Sequence, residues 1–122
     1  MELRIDERKN IAYIKLSGLL NKRKILEAFE EVVADQDYRK GMGRLWDFMD
    51  ADLSLLNAEI VESIAGYSIQ YPDGINDVKV AFVAYRPSDY RIARMFEALS
   101  INANTEIAVF QNLEDAERWM SA

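Results

Sequence analysis

The residues whose types and spacing could do chemistry lie at 45–54, which read LWDFMDADLS. Asp47, Asp50 and Asp52 occupy the end of an apolar run, and Ser54 comes two residues later. Such a cluster could hold a metal ion, supply a phosphoryl-transfer nucleophile or accept a phosphate on the serine. It could also be the turn and cap that lead into a helix. Each possibility makes a different demand on the neighbouring sequence.

Two of these possibilities need motifs that the stretch only partly provides. As a calcium loop, Asp-x-x-Asp-x-Asp lacks the Asp-x-Asp-x-Asp-Gly spacing and the distal glutamate. As a nucleophile, Asp50-Ala51-Asp52-Leu53-Ser54 resembles the Asp-x-Asp-x-Thr motif of haloacid-dehalogenase-like phosphatases. Those folds place the motif on their first strand and need a remote lysine and further acids to hold magnesium. Here it lies on the third predicted strand of a short chain, so the sequence disfavours both sites.

The other two possibilities concern Ser54 and the start of the next helix. A phosphate on Ser54 near a helix N-terminus would meet unpaired backbone amides, but Asp50 and Asp52 would repel it. Alternatively, Asp52, Ser54 and Asn57 are turn and capping residues that carry the chain from strand to helix. The sequence favours capping, with a recognition surface as the further possibility.

The chain contains no cysteine and no histidine. Without cysteine it has no thiolate nucleophile, disulfide or cysteine-based zinc site. Without histidine it lacks the usual general base near neutral pH and cannot assemble a Ser-His-Asp triad. We therefore expect a protein that is not an enzyme and carries no cofactor or metal. An enzyme that relies on carboxylates alone is the least favoured alternative.

Charge is distributed unevenly along the chain, whose formal net charge is −6. Residues 45–78 contain no lysine or arginine, and the remainder is close to neutral. An acidic surface repels nucleic acid and anionic membranes and favours a basic protein partner. Solubility is the simpler explanation of the same charge. The acids of the segment are Asp47, Asp50, Asp52, Glu59, Glu62, Asp73 and Asp77.

Length and hydropathy indicate one soluble domain that spans 1–122. No apolar stretch approaches the ~20 residues that cross a bilayer, which predicts no membrane insertion. The first residues, MELRIDERKN, are polar and charged and do not resemble a signal peptide. We therefore expect a cytoplasmic protein.

Hydrophobic periodicity predicts an alternating order of elements, β-β-α-β-α-β-α-β-α. This order is typical of a single-domain α/β fold with a mixed, mostly parallel five-stranded sheet packed with helices. The strands are predicted at 2–7, 11–17, 44–49, 78–85 and 105–110. The helices are predicted to start after Asn21, near Asn57, at Ser88 and after Asn112, and Pro72-Asp73-Gly74 ends the second.

Side-chain spacing predicts which parts of the helices are buried. Lys22-Arg23-Lys24 is predicted to be a solvated loop before the first helical turn, because the helix dipole disfavours cations there. Ile69 and Met95 lie off the main apolar stripes and could form a homodimer patch. The inward residues of the third and fourth helices are predicted to be Ala93, Phe96, Leu99, Leu113, Ala116, Trp119 and Met120.

The order of elements, together with several short motifs, resembles the STAS (sulfate-transporter and anti-sigma-factor-antagonist) superfamily. More narrowly, it resembles the SpoIIAA-like branch of small free-standing bacterial proteins. The likeness covers nearly the whole chain, although each motif alone consists mostly of core residues. The residues that carry it are Ile5-Asp6, Leu45-Trp46-Asp47, Val80-Ala81-Phe82-Val83, the run from Ala93 to Leu99, Val109-Phe110, Glu114-Asp115-Ala116 and Trp119.

This resemblance implies a regulatory or binding domain that is not an enzyme. In anti-sigma-factor antagonists, a partner kinase phosphorylates a serine at the start of the second helix, and that surface docks the partner. The corresponding place here is the end of LWDFMDADLS, where Ser54, displaced from the antagonist position, is the candidate phosphorylation site. The antagonists carry an Asp-Ser pair followed by small residues and glycine, whereas Asp52-Leu53-Ser54 has neither the pair nor the glycine. The resemblance therefore implies docking without the usual phosphoserine switch.

Two function classes follow from these observations. The first is a protein-interaction module that docks a partner through the acidic region around the second helix. Its candidate partner-binding residues are Asp50, Asp52, Ser54, Glu59 and Glu62. The alternative is a carrier or sensor of a small hydrophobic ligand held between helices and sheet. Its candidate lining residues are the aromatics Tyr67, Tyr71, Phe82, Phe96 and Trp119.

Overall fold

The structure is a computed structural model, and it describes residues 1–71, 75, 77–99 and 105–122. Its five strands are β1 (Glu2–Asp6), β2 (Ile11–Leu19), β3 (Gly43–Asp52), β4 (Lys79–Val83) and β5 (Glu106–Phe110). Its four helices are α1 (Lys22–Ala34), α2 (Ala58–Ile69), α3 (Pro87–Leu99) and α4 (Leu113–Met120). The predicted order of elements is confirmed. The predicted break at Pro72-Asp73-Gly74 and the predicted helical residues Ser100–Asn102 lie outside the described residues.

The strands form one sheet in the order β1-β2-β3-β4-β5. β1 pairs antiparallel with β2, and all later neighbours are parallel. The predicted α/β fold with a mixed, mostly parallel sheet is therefore confirmed. Because the parallel strands follow one another in chain order, right-handed crossovers place α1, α2 and α3 on the same side of the sheet.

The two faces of the sheet are covered unequally. The helix face, which carries Ala12, Trp46 and Phe82, packs against α1, α2 and α3 in the larger core. The α4 face, which carries Tyr13 and Leu45, packs only against α4. α4 lies mainly over β3, β4 and β5, and the α4 face is open over β1 and the end of β2, where Lys15, Ser17 and Leu19 are not buried.

A bulge in β3 decides which face the acidic residues occupy. Lys15 of β2 lies opposite Asp47, but Ser17 lies opposite Asp50, so β3 holds one residue more than β2 over this interval. The extra residue shifts the alternation of side chains. Ala51 is therefore buried in the larger core, and Asp47 and Asp50 both lie on the α4 face with Lys15.

β2 and β3 extend further than the sequence predicts. β2 was expected to end at residue 17 and β3 at residue 49, but they pair as far as Leu19 and Asp52. Gly18 accommodates the extension with a φ of +79°, a conformation that glycine adopts without strain. Asp50 and Asp52 thus belong to a two-stranded ribbon that projects past the end of β4.

The asparagine caps are confirmed, but the predicted loop at Lys22-Arg23-Lys24 is wrong. Asn21 accepts a hydrogen bond from the amide of Lys24 at 2.9 Å, which starts α1 at Lys22. The cations are tolerated because Arg23 pairs with Glu27 at 2.9 Å, and Lys24 Nζ donates to the carbonyl of Leu19 at 3.2 Å. These contacts offset the unfavourable helix dipole.

Three predicted exposures also need correction. Leu99 and Leu113 were expected to be inward, but both are exposed because they lie at the ends of their helices. Met95 was expected to be exposed, but it packs against the larger core, whereas Ile69 is exposed as predicted.

None of the helices in the described ranges is both long and apolar enough to cross a lipid bilayer.

Candidate functional site

The acidic cluster is held by specific partners and is not a free set of carboxylates. Asp47 accepts a hydrogen bond from the amide of Met49 at 2.9 Å, within the bulge. Asp50 pairs with Lys15 across the ribbon at 3.0 Å, and this hydrogen bond raises the pKa of the Lys15 amine. A lysine on β2 therefore pairs with an acid of residues 45–78, a segment that has no lysine or arginine of its own.

Asp52 and Ser54 form the turn that leaves β3. The amide of Ser54 donates to Asp52 Oδ1 at 2.9 Å, and the amide of Leu56 donates to the carbonyl of Leu53 at 3.0 Å. Hydrogen bonds from the Ser54 hydroxyl and amide lower the pKa of the Asp52 carboxyl. Asn57 then caps α2 by accepting from the amide of Ile60 at 2.9 Å. These contacts fit the predicted turn and capping roles.

Two residues that sequence reasoning missed fix this turn from the other side. Asp89, in the first turn of α3, is buried, and its Oδ1 accepts from the amide of Leu53 at 2.9 Å. Its Oδ2 accepts from Nε of Arg86 at 2.7 Å, and the Arg86 guanidinium also donates to the carbonyl of Ala51. The acid following Pro87 signals a helix start, but its contact with β3 could not be read from the chain.

Large apolar side chains are exposed at the end of the sheet where the Asp52–Ser54 turn lies. Leu19 is the register partner of Asp52 and is 49% exposed. Leu55, in the turn itself, is 51% exposed, and Tyr85, which follows β4, is 66% exposed. We call this group of residues the carboxyl edge, defined by Leu19, Asp50, Asp52, Ser54, Leu55 and Tyr85. In open α/β sheets, ligands bind outside the carboxyl ends of the strands.

The five candidate partner-binding residues do not share one surface. Asp50, Asp52 and Ser54 lie at the carboxyl edge, and Asp50 lies on the α4 face. Glu59 and Glu62 are exposed on α2, which packs on the helix face. The predicted acidic region is thus split between two sides of the sheet.

The open part of the α4 face forms a shallow groove next to the carboxyl edge. The groove measures about 260 Å³ and is bounded by Leu113 at the start of α4. Tyr13 lines it under the guanidinium of Arg4, which lies 3.9 Å from the ring centroid. Asp47 and Lys15 continue the groove towards Asp50. The groove therefore extends the carboxyl edge with groups of both charges.

The space between sheet and helices is small. A cavity of about 70 Å³ lies there, well below the ~300 Å³ at which ligand pockets begin. Of the predicted aromatic lining, Tyr67, Phe82 and Phe96 line it. Tyr71 packs instead on Phe29, with 4.9 Å between ring centroids, and Trp119 lies on the other face of the sheet. The cavity is therefore smaller than the pocket expected for the alternative function, a carrier or sensor of a small hydrophobic ligand.

Neither metal binding nor similarity to known proteins assigns the site. In the ranges that the structure describes, no three carboxylates come close enough together to hold a metal ion. Comparison with protein-family models, with curated proteins and with solved structures finds no match for this chain. The function is therefore argued from the site itself.

Proposed function

We propose that this protein is a non-catalytic interaction module that docks a basic-surfaced protein partner at its carboxyl edge. The observation that carries the proposal is the exposure of Leu19 and Leu55 next to Asp50 and Asp52, with Tyr85 exposed at the same end of the sheet. Exposed large apolar side chains bordered by charge are typical of protein interaction sites. The acids favour a partner that presents lysine or arginine around an apolar side chain.

Rigidity of the edge supports docking by a preformed surface. Asp89 fixes the turn at Ser54 by accepting a hydrogen bond from the amide of Leu53. Arg86 fixes the ribbon by donating a hydrogen bond to the carbonyl of Ala51. A preformed surface loses little conformational entropy on binding. The resemblance to anti-sigma-factor antagonists agrees with a docking function in the bacterial cytoplasm, which forms part of the proposal.

The proposal does not include a phosphoserine switch. Ser54 precedes the cap residue Asn57 and does not occupy the N-terminus of α2. A phosphate at Ser54 would lie next to the carboxylate of Asp52, to which Ser54 is hydrogen bonded. Nor does the proposal need a homodimer, since the expected apolar patch is reduced to Ile69.

Affinity capture from the native host, with matched variants, tests the proposal. The double variant Asp50→Lys, Leu55→Asp reverses the charge and removes the apolar anchor of the edge without touching a buried side chain. Glu31→Lys, at an exposed site on α1, is the matched control. We expect a stoichiometric partner with the wild type and the control, and at least a tenfold loss with the double variant. Equal recovery by all three proteins would exclude the carboxyl edge.

Glu59 and Glu62 are tested separately because they lie on the other side of the sheet. A Glu59→Lys, Glu62→Lys variant leaves the carboxyl edge intact. Weaker recovery with this variant would extend the interface onto α2, whereas unchanged recovery confines it to the edge. Intact-mass analysis of the recovered protein checks Ser54, and a phosphate-sized increase there would restore the phosphoserine switch.

A further inference from the structure

Arg44 is a buried cation on the helix face of the sheet. It lies on β3 between Ala12 and Val80, and only 3% of its surface is exposed. Arginine cannot lose its charge by deprotonation in a protein, so its burial requires compensation. The surroundings of Arg44 are largely aromatic and aliphatic.

The hydrogen bonds that Arg44 donates to described residues come from one side of its guanidinium. Nη1 donates to the hydroxyl of Tyr38 at 2.7 Å and to the carbonyl of Ile75 at 2.5 Å. The Tyr38 hydroxyl in turn donates to the carbonyl of Met42 at 3.1 Å, which fixes its orientation. The ring of Phe29 lies 5.2 Å from the guanidinium carbon. All of these partners are neutral.

Within the described residues, Nε on the opposite edge of the guanidinium has no hydrogen-bond partner. Nε is buried and has no acceptor, and no carboxylate in the described part of the chain forms an ion pair with Arg44. In arginine, Nη1 lies on the side of Cδ, so the Nε and Nη2 hydrogens form the other edge together. That pair of donors matches the two oxygens of a carboxylate.

Arg44 also lines the cavity between sheet and helices. The cavity measures about 70 Å³, enough for an anion of a few heavy atoms but too small for a long chain. Phe29, Trp46 and Phe82 supply apolar walls. A short hydrocarbon chain suits such walls, and the Arg44 guanidinium supplies a cation for a carboxylate.

We propose that this cavity binds a short-chain monocarboxylate, held by two hydrogen bonds from Nε and Nη2 of Arg44, with its hydrocarbon chain against Phe29, Trp46 and Phe82. The single negative charge compensates the buried guanidinium. This inference is independent of docking at the carboxyl edge, which lies at the end of the strands and involves different residues.

The first test follows the Nε–H signal of Arg44 by ¹H–¹⁵N NMR in the wild-type protein. Propionate is the probe, propionamide is its neutral counterpart of the same shape, and sodium chloride controls for ionic strength. We expect saturable downfield movement of the Arg44 Nε–H signal with propionate and not with propionamide. Equal responses to both probes, or no saturable response to propionate, would overturn the proposal.

The second test uses variants in the same titration, followed by the ¹³C signal of labelled propionate. Arg44→Lys keeps the charge but removes the paired donors, and we expect at least tenfold weaker binding. Arg91→Met, at an exposed site on α3, is the matched control and should bind as the wild type does. Unchanged affinity in a folded Arg44→Lys protein would contradict the two-donor contact. If that variant does not fold, the wild-type Nε–H titration alone decides.

Discussion

The carboxylate of Asp89 accepts a hydrogen bond from the backbone amide of Leu53 at 2.9 Å, and this contact joins the start of α3 to the end of β3. The same carboxylate holds Arg86 at 2.7 Å, and Arg86 reaches the carbonyl of Ala51. One buried acid thus fixes both the ribbon and the turn that present the carboxyl edge.

Removal of this acid should destabilise the protein. Asp89→Ala leaves the buried amide of Leu53 without an acceptor, and we expect a loss of about 2 kcal/mol in the free energy of unfolding. Asp89→Asn keeps one acceptor oxygen and should lose less. Urea denaturation measures both values. The control for loss of an acid is Asp115→Ala, because the Asp115 carboxylate is half-exposed. An equal loss of stability at both sites would contradict the structural role of the Asp89 contact with Leu53.

The Asp52–Ser54 turn predicts a dependence on pH. The pKa of Asp52 is lowered from its ordinary value of 3.8, mainly by the Ser54 hydroxyl. Its contribution to stability is therefore present above pH 3.8 and is lost as the pH falls through the lowered pKa. Ser54→Ala should raise the pKa of Asp52 in an NMR titration of the carboxyl carbon. Ser63→Ala, at an exposed site on α2, should not change it.

The contact between Tyr67 and Glu30 predicts a dependence at high pH. The Tyr67 hydroxyl donates to the Glu30 carboxylate, which raises the tyrosine pKa above its ordinary value of 10.0. The stabilisation is complete below pH 10 and is lost as the pH rises, because the unfolded state ionises first. Chemical denaturation should show the advantage of wild type over Tyr67→Phe shrinking above pH 10. A constant difference would contradict the contact.

Two glycines should respond to alanine in opposite directions. At Gly43, a Cβ would lie 2.6 Å from Cε of Met120 and 3.1 Å from the carbonyl oxygen of Lys79. The flexible end of the Met120 side chain can turn aside, but the backbone carbonyl of Lys79 on β4 must shift, so Gly43→Ala should cost about 1 kcal/mol. Gly66, in α2, has no atom within 4 Å of the added carbon, and Gly66→Ala should stabilise by about 0.5–1 kcal/mol. Thermal or urea unfolding compares the two.

Local signals explain what the sequence predicted well. Asn21, Asn57 and Asn112 each cap a helix through a hydrogen bond to an amide three residues later. Within the apolar run at 78–85, Lys79–Val83 forms a strand between two others, and Val80 to Ala84 are buried. Capping and periodicity depend on neighbours in the chain, so a single sequence is sufficient to read them.

Long-range contacts explain what the sequence did not predict. The bulge in β3 exists only in register with β2, so the face occupied by Asp50 was not readable from its own strand. The role of Asp89 depends on Leu53, which lies on another element. Arg44 reads as an ordinary charged residue at a strand start, and only the packing of α1 and α2 around it reveals its burial.

Photo-crosslinking in the native host tests the docking proposal most directly. A photoreactive amino acid at position 55 lies in the carboxyl edge, and the same group at position 31 lies on the exposed side of α1. We predict that one protein crosslinks from position 55 and not from position 31, through a segment rich in lysine or arginine. The same products from both positions, or no product from position 55, would contradict a partner at the carboxyl edge.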